Sequence, residues 1–243
     1  ESATMTKDEK IDVIKCAVEV AHKNKTSTRK IPIIAGTGSN NTKEAIEMSK
    51  IAESLGVDGV LVVTPYYNKT NESGLIKHFT MIADNAKCPV IMYNVPSRTG
   101  VDISVETIVK LSKIPNIVAI KEANPSLEKI AQVINKTKDT DFNVLSGNDN
   151  LIIPILSLGG KGVISVCANI IPNEMHNICI KKDVDLFYKY LDLMDSLFLD
   201  VNPIMIKEAM NYLNFSVGKT RLPLYESDTV KILKMQKIID ETF

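Results

Sequence analysis

The stretch Asn116-Ile117-Val118-Ala119-Ile120-Lys121-Glu122 decides the reading of the fold. A short, wholly apolar, β-branched run that ends abruptly in a charged pair suits a strand covered on both faces, as in a parallel sheet packed between layers. Five more runs of the same kind flank it: Ile31–Ala35, Gly59–Thr64 and Val90–Val95 before it, Asn143–Ser146 and Gly162–Val166 after it. Between them lie amphipathic patterns that predict helices near 42–55, 73–86, 104–112, 126–137, 150–158 and 172–181, with another over 7–25 ahead of the first strand. Strand-to-strand spacings of roughly 20–30 residues are those of βα units. The expected architecture is therefore α/β, a (β/α)8 TIM barrel two strands short of closure. Residues 1–182 form the barrel. Residues 183–243 carry only helical patterns, broken at Asn202-Pro203 and Gly218, and make a C-terminal helical extension of the same domain. A dinucleotide fold would need Gly-x-Gly-x-x-Gly after a strand; Gly36-Thr37-Gly38 begins one, but position 41 is Asn.

Bulk properties narrow the function classes. Lys and Arg number 29 and Asp and Glu also number 29, so the net charge is zero, and neither nucleic acid nor an anionic membrane surface is an expected partner. The four cysteines, Cys16, Cys88, Cys167 and Cys179, form no Cys-x-x-Cys pair, and three histidines offer no zinc-like set. No apolar run approaches the roughly 20 residues of a membrane span. A cytoplasmic protein with reduced thiols and a small-molecule substrate is expected.

In a barrel, the polar residues at the carboxyl ends of strands face the active site. Lys121 is the foremost of these. Its stem begins inside a buried strand, where an ammonium is costly unless its pKa falls, and a desolvated lysine is what carbonyl condensation requires. The plainer alternative is a lysine paired with a carboxylate such as Glu122. Tyr93 ends the preceding strand and could move protons for an enamine, or could simply complete the core with its hydroxyl on backbone. Arg98, just beyond, could clamp a substrate carboxylate, or lie at the surface. Tyr66 and Tyr67, taken as neighbours on extended chain, point opposite ways, so only one can address its own barrel mouth. His22, His78 and His176 are expected to be partly exposed on helices, and Leu191, Met194 and Phe198 to form a packing stripe.

Together the strand-end motifs resemble one family. Tyr-Asn-Val-Pro-Ser-Arg-Thr-Gly (93–100), Ile-Lys-Glu-Ala (120–123), Thr-Pro-Tyr-Tyr-Asn (64–68) and Ala-Gly-Thr-Gly-Ser-Asn (35–40) are similar to the dihydrodipicolinate synthases. Leu-Ser-Gly-Asn-Asp (145–149), Gly-Val-Ile-Ser-Val (162–166) and Asn-Pro-Ile (202–204) extend the similarity in order and spacing. The resemblance implies condensation of pyruvate with aspartate 4-semialdehyde on the route to diaminopimelate and lysine. It assigns the pyruvate imine to Lys121, proton transfer to Tyr93, the semialdehyde carboxylate to Arg98, and a proton relay from the neighbouring subunit to Tyr67. Ile164 and Gly147 would line the pyruvate pocket, with Asn202 also at the substrate. No metal or organic cofactor is implied beyond the covalent lysine–pyruvate imine, and the assembly would be a homotetramer built as a dimer of dimers.

The wider superfamily, including N-acetylneuraminate lyase and keto-deoxy-sugar aldolases, shares the lysine and Tyr93; Ser-Arg-Thr at 97–99 favours the synthase. In the family, Glu1 would follow a Gly-Thr-Thr-Gly segment and further strand, helix and strand. A truncated normal enzyme is the preferred explanation; an inactive barrel fragment serving as an interaction protein is the other. A regulatory lysine site would map to Ser2, Ala3, Lys7, Lys10, Asn40, Glu44 and Tyr66. Lys7 and Lys10 are cations three apart on one helical face and should disfavour a cationic effector, so weak or absent lysine inhibition is expected.

Overall fold

The computed structural model describes residues 1–23 and 31–243. Six strands form one sheet in strictly sequential order, every neighbouring pair parallel: β1 (Ile34–Gly36), β2 (Gly59–Val63), β3 (Val90–Asn94), β4 (Ile117–Glu122), β5 (Asn143–Ser146) and β6 (Gly162–Val163). Sequential order without a reversal is the winding of a barrel wall and excludes a doubly wound sheet, whose order turns back at a switch point. Helices α1 (Lys7–Lys23), α2 (Thr42–Ser54), α3 (Glu72–Asn85), a short α4 (Pro96–Thr99), α5 (Val105–Leu111), α6 (Leu127–Thr137), α7 (Ile152–Ser157) and α8 (Pro172–Lys181) accompany the strands. After residue 182 only helices follow: α9 (Val184–Ser196), α10 (Ile204–Tyr212) and α11 (Thr229–Thr242). The end of the helix expected over 7–25 lies outside the described residues.

Local sequence explains the boundaries. Side chains of Asn41, Asn71, Ser104, Ser126, Asp183 and Asp228 accept first-turn N–H groups of α2, α3, α5, α6, α9 and α11, satisfying donors that would otherwise be orphaned. Two expected strands are shorter than their apolar runs by more than one residue. β1 starts at Ile34 rather than Ile31, because Pro32 brings no N–H to a ladder. β6 stops at Val163 rather than Val166, because Asp149 Oδ2 pulls the next segment aside by accepting from the Val166 and Cys167 N–H groups at 3.0 and 2.9 Å.

Two apolar cores result. One lies between the sheet and its helices, with Val60, Val62, Met92, Ile120 and Val144 packed against Phe79, Ile82, Ile108, Leu111 and Ile130. The other joins α7 and α8 to α9–α11 through Ile178, Leu193, Met194, Met205 and Met235. His78 is buried, not partly exposed as its sequence suggested. It shares the inward face of α3 with Leu75, Phe79 and Ile82, and its Nδ1 is 2.9 Å from Thr42 Oγ1. His22 and His176 are exposed.

Candidate active site

At the carboxyl ends of β3 and β4, register pairs Tyr93 with Lys121, and alternation turns both away from the helices toward the barrel interior. The Lys121 ammonium sits 4.3 Å from the centroid of the Tyr93 ring. Burial holds the lysine pKa down at about 8, against the opposing pull of the Asp149 carboxylate; Arg98 lowers it further. Burial also pushes the Tyr93 phenol above its ordinary value, with Arg98 acting in the opposite sense, so the ring carries a protonated hydroxyl at neutral pH. The Tyr93 hydroxyl makes no hydrogen bond among the described residues, which leaves it free for a reacting oxygen. Glu122 is not the partner of Lys121. It points to the other face of the sheet, where Lys129 Nζ stands 3.5 Å from its Oε2.

These two side chains open onto a cavity of about 750 Å³ that also takes in Arg98, Gly147, Asn148 and Asn202. Arg98 stands on α4, a single turn started by Pro96 and ended by Gly100 at φ 67°, a left-handed conformation that glycine adopts without strain. Its guanidinium donates to the Asn202 carbonyl at 2.8 Å. Asn202 therefore enters the site through its backbone, orienting the arginine. Gly147 lies against β4: its N–H donates to the Glu122 carbonyl at 2.7 Å, and a Cβ there would come within 2.7 Å of the Ala123 Cβ. Ile164 is not among the residues lining the cavity; its N–H donates to the carbonyl of Ser146, the residue before Gly147, at 2.9 Å.

Beyond Asn202, sequence reasoning missed the wall supplied by the helical tail. Phe198, Asp200 and Val201 line the cavity from the segment between α9 and α10. Phe198 thus departs from the packing stripe expected of it, while Met194 is buried in the second core. No local pattern marks these residues, since a polar–apolar segment after a helix reads as an ordinary loop.

The chain at Tyr66-Tyr67 is turned, not extended as the sequence suggests. Tyr67 has φ 68°, and the Asn68 N–H donates to the Tyr66 carbonyl at 2.8 Å, closing a γ-turn whose centre is rare and strained for a non-glycine residue. The turn leaves Tyr67 92% exposed and outside the cavity of its own chain.

The residues of the expected regulatory site come together in two adjoining cavities that share Lys10. Ser2, Ala3, Lys10 and Tyr66 line one of about 640 Å³, which also reaches Tyr93 and Arg98. Lys7, Lys10 and Glu44 line another of about 290 Å³, where Lys7 is paired with Glu47. Asn40 Nδ2 donates to the Tyr66 carbonyl at 3.1 Å. Among the described residues there is no group of three or more acidic, histidine or cysteine side chains arranged to hold a metal, and no helix is long and apolar enough to cross a membrane.

A lysine with a depressed pKa, set beside a phenol at the carboxyl ends of sequential parallel strands, points to a class: an α/β lyase. The particular family follows from comparison. The family model of the dihydrodipicolinate synthetases matches residues 1–242, and the chain belongs to that family. Relatives named 4-hydroxy-tetrahydrodipicolinate synthase include one from Clostridium perfringens, 48% identical over 98% of this chain and 81% of its own length. Another, from Clostridium acetobutylicum, is 51% identical over 94% and 78%. Among solved structures, the synthase of Acinetobacter baumannii, chloride-inhibited and complexed with pyruvate, superposes with a TM-score of 0.94 at 39% identity, covering 100% of this chain and 83% of its own. That of Thermotoga maritima gives 0.93 at 36% identity, covering 99% and 83%.

Proposed function

We propose that the chain condenses pyruvate with aspartate 4-semialdehyde, through an imine on Lys121, to give 4-hydroxy-tetrahydrodipicolinate. The observation that carries this reading is the Lys121 amine, held 4.3 Å from the Tyr93 ring centre with its pKa drawn down to about 8. At neutral pH an appreciable fraction is then unprotonated and nucleophilic. The amine adds to the pyruvate ketone and expels water; the resulting iminium loses a methyl proton to become an enamine. The enamine carbon attacks the aldehyde, and the Tyr93 phenol supplies the proton that the new alkoxide takes up. The amino group of the second substrate then displaces Lys121 from the imine carbon and closes the ring. Arg98, oriented by Asn202, holds the semialdehyde carboxylate, a role better suited to a short acidic aldehyde than to a sugar. The Gly147 and Ile164 backbone borders the pyruvate.

In this reading the six strands are part of a (β/α)8 barrel to which residues 183–243 add a helical extension, and no cofactor takes part beyond the covalent imine. Tyr67, projecting on its strained turn, completes a proton relay in a neighbouring subunit of a dimer of dimers. A monomeric variant exists among the structural relatives, so the assembly is a property to be measured for each member. The cytoplasm is the compartment expected for such biosynthesis. Lysine inhibition is weak or absent, because Lys7 and Lys10 both stand at one cavity, Lys7 balanced by Glu47 and Lys10 beside Glu44; micromolar inhibition by lysine would overturn this.

Borohydride reduction in the presence of pyruvate tests the core of the proposal. A pyruvyl adduct is expected on the peptide containing Lys121, and Lys121→Ala should abolish it. An adduct on another lysine, or none, removes the reading.

A further inference from the structure

On the opposite face of the strands that carry Tyr93 and Lys121 lies a set of polar side chains that the condensation does not use. Asn94 and Glu122 are register partners one residue beyond the Tyr93–Lys121 pair, turned toward the helices. Both are buried, Asn94 to 0% and Glu122 to 1% exposure. The Asn94 amide donates to Glu122 Oε1 at 2.8 Å and to Asp102 Oδ1 at 2.7 Å, while its own oxygen accepts from the Ile103 N–H at 3.1 Å. Glu122 Oε1 also accepts from the Asn124 N–H at 2.7 Å, and Oε2 faces Lys129 on α6. Lys129 pairs in turn with Asp102, to which the Asn124 side chain donates at 2.9 Å. One buried carboxylate thereby ties together β3, β4, the segment before α5 and the start of α6.

A site that needed only volume would be filled as well by an apolar residue, because burying a carboxylate costs more than its pairing returns unless its bonds are met. Here Oε1 is hydrogen-bonded twice, while Oε2 makes no hydrogen bond and is met only by the Lys129 ammonium at 3.5 Å; what such a polar network adds is a single geometry. The main chain anchors the same two residues to the cavity wall: the Ala123 N–H donates to the Asn94 carbonyl at 2.9 Å and the Gly147 N–H to the Glu122 carbonyl at 2.7 Å.

We infer that Glu122, held by Asn94, is a positioning residue for the imine chemistry: its carboxylate locks the ends of β3 and β4 so that the Lys121 amine stays dry against the Tyr93 ring. The inference rests on the imine reading given above. The charged and titratable groups that act on Lys121 are Asp149 from beyond β5, Arg98 from α4 and Tyr93 from β3. Glu122 lies on the far face, so a change there reaches the amine only through geometry and water access. Loosened strand ends admit water, relieve the burial that holds the lysine near 8, and move its titration upward toward that of an ordinary lysine.

Competitive acetylation of the whole chain across pH, read on the Lys121 peptide by mass spectrometry, reports that titration without any pyruvate. Borohydride trapping of pyruvate gives the imine rate in parallel. Glu122→Ala is expected to raise the titration midpoint by about one pH unit and to slow trapping by roughly 100-fold. Glu122→Gln keeps an oxygen for Asn94 and Asn124 and should restore most of both. If Glu122→Ala does not fold, Asn94→Ser, too short to reach the carboxylate, carries the same test. An unchanged midpoint and an unchanged trapping rate in a folded variant overturn the inference, whatever its melting temperature. A wild-type chain with the low Lys121 midpoint that traps no pyruvate overturns the imine reading instead, and the midpoint shift still decides the role of Glu122.

Discussion

The two cores of the molecule are built differently. Behind the sheet, apolar side chains share the interior with buried polar groups: Thr64, His78, Asn94, Glu122 and Ser146 are all nearly inaccessible. Among the helices α7–α11 the core is almost wholly apolar, with Ser196 the buried polar residue of the segment after 182. The candidate site lies where the polar burial is. The lysine, the phenol and the network behind them belong to the sheet, whereas the tail contributes Phe198, Val201 and the Asn202 carbonyl as a wall and a brace. Buried polar groups fix direction, and buried hydrocarbon supplies adhesion.

The contrast can be broken or sharpened by substitution. The largest effect is expected from Tyr93→Phe, which keeps the ring beside Lys121 and removes only the proton: the condensation rate should fall about 10²–10⁴-fold, with thermal unfolding little changed. A fall smaller than tenfold would show that the phenol is only packing. In the other core, Leu193→Ala should cost about 2–5 kcal/mol in urea unfolding while leaving pyruvate trapping by the folded fraction near normal. A matching loss of trapping at low denaturant would mean that the tail is part of the chemical site.

The smallest effect concerns pH. Burial holds the His78 pKa at about 4, below its ordinary value of 6.5. The unfolded chain therefore binds the proton first, and stability is intact above pH 6.5 and lost as pH falls toward 4. At pH 5 the loss should be about 2 kcal/mol, measured by urea unfolding, and His78→Gln should flatten that limb. An unaltered acid limb in the variant would assign it to carboxylates.

Much of this is legible in the sequence. The apolar runs placed all six strands, since a strand buried on both faces has no polar residue to interrupt it, and the ends of β3–β5 marked Tyr93, Lys121 and Gly147, which the fold gathers at one cavity. Boundaries failed where a single residue overrode a pattern, as Pro32 did at β1 and Asp149 at β6. His78 misled because a histidine reads as polar until its helical face is seen to coincide with Leu75, Phe79 and Ile82.

Sequence by itself determined the parallel α/β class and the family and singled out Lys121 as the candidate, because these rest on local periodicity and on short runs of adjacent residues. Tertiary structure alone decided which carboxylate serves which lysine, that Tyr67 projects from a strained turn, and that the tail closes the cavity around Arg98. Each of these depends on segments far apart in the chain, and on which face of a strand or helix is buried, which no linear spacing encodes.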